Sequence, residues 1–141
     1  MKVHEYHARS LEATLSRADE AIYRMERLLS ERGQGGVVRK IEDTLAAEAR
    51  DGLLIQLGTL RDSLAAVATT FSLESHLLDI RQVLFAEIST LWVLFENCRP
   101  ARMKGYGQEF TPEARVTLER NIDKLLAQVL AMRSQVDLPL R

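Results

Sequence analysis

Apolar residues recur at alternating steps of three and four in four separate segments of the chain. The first segment carries Leu11, Leu15, Ala18, Ile22, Met25 and Leu29, and the last carries Leu118, Ile122, Leu125, Val129, Met132 and Val136. Between them lie Leu53, Leu57, Leu60, Leu64, Val67 and Phe71, then Leu77, Ile80, Leu84, Leu91 and Leu94. Such spacing keeps the side chains on one face of an α-helix, as a seam that another helix must cover. Four seams in one chain predict an all-α fold, an antiparallel up-down four-helix bundle forming a single domain over residues 1–141.

Start and stop signals place the helices at about 3–32, 37–70, 73–98 and 112–136, with a loop over 99–111. Gly33, Gly35 and Gly36 end the first helix, because glycine accepts the positive φ of a helix terminus. In the second, Ile41, Leu45, Ala49 and Leu53 are spaced only by fours, which shifts the seam around the helix. Gly52 sits at that shift, so helix 2 either kinks or breaks there or runs through a tolerated glycine. Ser72 is the expected N-cap of helix 3, and Pro100 stops that helix. Thr111-Pro112-Glu113 supplies a capping hydroxyl, a proline at the first helical position and a first-turn carboxylate for helix 4.

Composition narrows the function without naming it. The 141 residues include 19 basic and 20 acidic side chains, for a net charge of −1, so no global field draws in nucleic acid or anionic membrane. A single cysteine, Cys98, excludes an intramolecular disulfide and suits the reducing cytoplasm. Cys98 is expected to act as a small buried hydrophobe. The first ten residues are too charged for a secretory leader. The most apolar window, Leu77 to Phe95, is interrupted by Asp79, Arg81, Gln82 and Glu87, which argues against a membrane span.

Three constellations are candidates for chemistry. His4 and His7 share a face near the start of helix 1, and His76 begins helix 3. An up-down topology would bring these starts to one end, where imidazoles suit zinc, nickel or copper. Neither HEXXH nor a helical Glu-x-x-His occurs, so no metal and no cofactor is expected. The loop carries Arg99, Arg102 and Lys104, and frames Tyr106 between Gly105 and Gly107. Together with the glycine turn and Arg32, Arg39 and Lys40, it would attract an anion or an acidic partner. Glu87 falls on the helix 3 seam if the seam passes through Leu84 and Leu91, and at its edge if it passes through Ile88.

Helix 3 is apolar beyond one stripe, with Val83, Phe85, Ile88 and Trp92 widening its hydrophobic surface. A monomer seldom leaves such a patch in water, so these residues are the expected homodimer interface. No nucleophile–base pair stands out. The sequence therefore points to a non-enzymatic cytoplasmic interaction module, homodimeric through helix 3. The other reading is an anion- or small-ligand-binding protein or metal-dependent enzyme, using the basic loop or the histidines.

Overall fold

The computed structural model describes residues 1–33, 35–103, 105 and 107–137. The secondary structure assigned to them is helical, in the order α1 (Glu5–Ser30), α2 (Ala47–Thr70), α3 (Ile80–Glu96), a short 3-10 turn (Pro100–Met103) and α4 (Pro112–Val136). The chain divides into two compact units, residues 1–75 and 76–141.

In the first unit α1 and α2 form a hairpin. Ile22, Leu29 and Leu57 are its buried core, with Leu53, Leu54 and Leu64 packed against them. Polar contacts close both ends. The Met1 ammonium donates to the Thr70 carbonyl at 2.9 Å, and Arg50 Nη1 donates to the Leu29 carbonyl at 2.6 Å. Arg61 pairs with Glu26 at 2.7 Å between them.

The end of α1 is a Schellman turn in which the Gly33 N–H donates to Leu28 O. The left-handed residues are Arg32 (φ 55°) and Gly33 (φ 83°), so the reversal begins one residue before the glycine. Helix 2 was expected from Val37 and begins at Ala47. The chain instead folds back over its own glycines. A Cβ at Gly35 would lie 2.7 Å from Arg39 O, and one at Gly33 would lie 3.0 Å from Ile41 O. Backbone so close to the turn cannot also wind into a helix, and the Ile41–Leu45 seam is lost. Further on, α2 runs unbroken through Gly52, as the tolerated-glycine alternative requires.

Ser72 does not cap helix 3. It is the left-handed residue (φ 53°) of a second Schellman turn, in which Leu73 N–H donates to Ala68 O and Ser72 N–H to Thr69 O. Helix 3 begins at Ile80, not Leu73, because Asp79 is the effective cap and accepts from Arg81 N–H at 2.8 Å.

In the second unit α3 and α4 form another hairpin, and here the expected start holds: Thr111 caps α4 by accepting from Ala114 N–H at 3.2 Å. Ile88, Ile122, Leu126 and Val129 are buried, Ile122 to 1% exposure. At the open end, Arg81 donates from Nε and Nη2 to Val136 O, satisfying a terminal helix carbonyl.

The seams are only partly covered. Leu57 and Leu64 face α1, while Leu60 remains 51% exposed and Val67 is exposed too. Ile122 and Val129 are buried in α4, while Leu125 and Met132 are exposed. In α3 the expected seam is largely outside: Ile80, Leu84 and Leu94 are exposed, and Ile88 is the buried position. One neighbouring helix covers only part of a seam that a bundle would cover from two sides. With about 100° between successive residues, Met25, Leu28, Leu60 and Val67 fall on one side of the first hairpin. By the same geometry Leu84, Leu94, Leu125 and Met132 fall on one side of the second.

Candidate functional site

The loop after α3 is built on Arg99. Its Nε meets Glu96 at 2.9 Å, Nη1 meets Glu119 at 2.5 Å, and Nη2 meets Asp123 at 2.9 Å. Its hydrogen bonds to the carboxylates of Glu96, Asp123 and Glu119 hold its pKa above the ordinary arginine value. This cation, read from the sequence as available to a ligand, is spent on three internal carboxylates, and ties the end of α3 to the first half of α4. Its acidic partners were visible as residues spaced by four on helix 4, a pattern that marks one helix face without saying what lies opposite.

Arg102 is exposed, and its backbone N–H closes the 3-10 turn on Arg99 O at 2.9 Å. Lys104 and Tyr106 lie outside the described residues. Gly105 (φ 91°) and Gly107 (φ 101°) are both left-handed, yet a Cβ at either would meet nothing within 4 Å. Backbone conformation, not close approach by another group, is what these glycines answer to. Beneath the loop lies a cavity of about 370 Å³ lined by Pro100, Met103, Phe110, Arg115 and Glu119 among others. Arg115 stands 4.0 Å from Glu109. Among the described residues the cavity's charged lining is Arg115, Glu109 and Glu119, more acid than base.

In the first unit the glycine turn is filled by its own backbone rather than open to a phosphate. His4 caps α1, its Nδ1 accepting from Tyr6 N–H at 3.3 Å, and its ring stacks on Tyr6 with centroids 5.1 Å apart. The His4 and His7 rings meet edge to face at 6.2 Å. His76 belongs to the second unit. Among the described residues no group of three or more His, Cys, Asp or Glu side chains could hold a metal ion.

Helix 3 decides between the two placements of Glu87, corrects the reading of Cys98 and redirects that of the interface. Glu87 is exposed, because the buried position is Ile88. Cys98 is exposed rather than buried, and lies past the last residue of α3, Glu96. Of the residues expected at an interface between copies, Ile88 is buried, Phe85 and Trp92 are half-buried, and Val83 is exposed. Ile88 and Trp92 border α4 around a cavity shared with Val129 and Leu130, and the Arg133 guanidinium lies 4.8 Å from the centre of the Phe85 ring. No helix among the described residues is long and apolar enough to cross a membrane.

Comparison with known proteins adds no relative: no family model, curated protein or solved structure matches the chain.

Proposed function

We propose that the chain is a non-enzymatic cytoplasmic interaction module, homodimeric through α3, whose leftover apolar stripes close as an antiparallel up-down four-helix bundle. The observation that carries this reading is that Met25, Leu28, Leu60 and Val67 are exposed and fall on one side of the first hairpin, as Leu84, Leu94, Leu125 and Met132 do on the second. An isolated helical hairpin gains little from burying half a seam, and apolar faces of this kind mark contact surfaces. Hairpins of one chain or of two copies can satisfy the same stripes. Val83 and Val93 add exposed apolar surface on α3 beyond its stripe, more than one further hairpin covers, and this favours a second copy.

Light scattering at micromolar concentration, paired with thermal melting, tests both parts. The wild type is expected to be a dimer, and Leu84→Glu with Leu94→Glu is expected to give a less stable monomer. A monomeric wild type overturns the homodimer. A variant that melts like wild type overturns the bundle.

A further inference from the structure

On the side of the α3–α4 hairpin opposite Leu84 and Leu125, a second cavity of about 270 Å³ opens between the helices. Ile88, Trp92, Val129 and Leu130 give it apolar walls, and Ser89 and Arg133 are the polar residues that line it. The Ser89 hydroxyl is spent locally, donating to Phe85 O at 2.9 Å. Arg133 differs from three arginines that reach from one element to another, and from Arg81, which donates to the Val136 carbonyl. Arg50, Arg61 and Arg99 each meet a carboxylate, whereas no acidic partner lies within ion-pair distance of Arg133 among the described residues. Its guanidinium instead rests over the Phe85 ring, 4.8 Å from the centroid. Phe85 is one turn from the cavity's Ser89, so stacking there holds the planar group beside the cavity and leaves its N–H donors without a carboxylate.

An apolar slot with one stacked, acid-free guanidinium has the parts needed to recognise an apolar tail bearing a carboxylate: walls for the tail, and a fork of donors for two oxygens. We propose that this cavity binds a small amphipathic carboxylate of the medium-chain fatty-acid class, with Arg133 holding the head group and Ile88, Trp92 and Val129 enclosing the tail. The site lies away from the stripe of Leu84, Leu94, Leu125 and Met132, although Val93, assigned above to the surface a second copy covers, also lines it.

The protein has one tryptophan, and that residue lines the cavity, so binding reports itself. Decanoate, titrated below its micellar range, is expected to shift Trp92 emission to the blue in a saturable curve. Decyltrimethylammonium, with the same tail and opposite charge, is expected to bind far more weakly. Arg133→Gln, shown by circular dichroism to remain helical, is expected to weaken decanoate about tenfold or more, as loss of a charged hydrogen-bonding partner does. Leu84→Glu, on the other face, is expected to leave decanoate affinity unchanged. The proposal is overturned by an unsaturable response, by equal binding of the two amphiphiles, or by wild-type affinity in Arg133→Gln. Loss of binding in Leu84→Glu also overturns it, by assigning the response to the apolar stripe.

Discussion

Arg50, in the first turn of α2, donates from Nη1 to the carbonyl oxygen of Leu29 in the last turn of α1, at 2.6 Å. Its Nη2 meets Asp43, whose carboxylate also accepts from Leu45 N–H at 3.2 Å. One guanidinium thus closes a helix terminus and anchors the connecting loop. The hydrogen bond from Arg50 holds the Asp43 carboxyl below its ordinary value of 3.8, against an opposing contribution from burial. A lowered folded-state pKa adds stability that is fully present above the unfolded value and is lost as pH falls through the folded one. Wild type should therefore lose this part of its stability below about pH 4. Asp43→Asn, melted across the acid range, should be less stable than wild type at pH 7, with the gap closing as pH falls. A gap independent of pH would refute the assignment.

Gly52 lies inside α2, and a Cβ there would meet nothing within 4 Å. Alanine costs less backbone entropy in a helix interior, so Gly52→Ala should stabilise the chain by about 0.5–1 kcal/mol. Thermal unfolding measures this directly. A fall in melting temperature would mean that the helix is bent at this residue.

The reverse substitution is expected to help at Ser72, which holds φ 53° in the turn after α2. Left-handed backbone strains an L-residue but not glycine, and glycine's extra unfolded-state entropy offsets part of the relief. Ser72→Gly should raise stability by about 0.5–1 kcal/mol, and Ser72→Val should lower it. Denaturant unfolding of the three proteins should rank them glycine, serine, valine.

Arg99 separates three carboxylates that would otherwise face one another. Replacing it with glutamine keeps hydrogen-bonding capacity but leaves Glu96, Glu119 and Asp123 without their shared cation. Arg99→Gln should melt below wild type at neutral pH and low salt. Because like charges are screened by ions, the deficit should narrow in 1 M salt, and narrow again as acid protonates the carboxylates. A deficit insensitive to both salt and pH would point to packing instead of charge.

Local signals decide an element where interactions within a few residues suffice. Thr111-Pro112 starts α4 because a capping hydroxyl and a pre-set φ act within a few residues, and the four helical segments follow from spacing that any helix expresses. The same reading gave starts at Val37 and Leu73 where the helices begin at Ala47 and Ile80. At the first, the competing interaction is the chain folding over Gly33 and Gly35; at the second, it is a Schellman turn that ends α2 and leaves the segment before Asp79 outside a helix.

Periodicity by itself determined that each segment has an apolar face, since residues three and four apart share one side of a helix whatever surrounds it. Which stripe meets a neighbour was decided only in three dimensions. Ile88 is buried and Leu84 exposed on one helix, although both are apolar and lie four residues apart. Arg99 follows the end of α3 and Arg133 lies in the last turn of α4, yet one is ringed by carboxylates and the other stacks on Phe85. A side chain's partners across a hairpin lie twenty or more residues away in sequence, as Arg99 and Glu119 show, so their identity depends on the packing of whole helices and is not encoded in the spacing along either one.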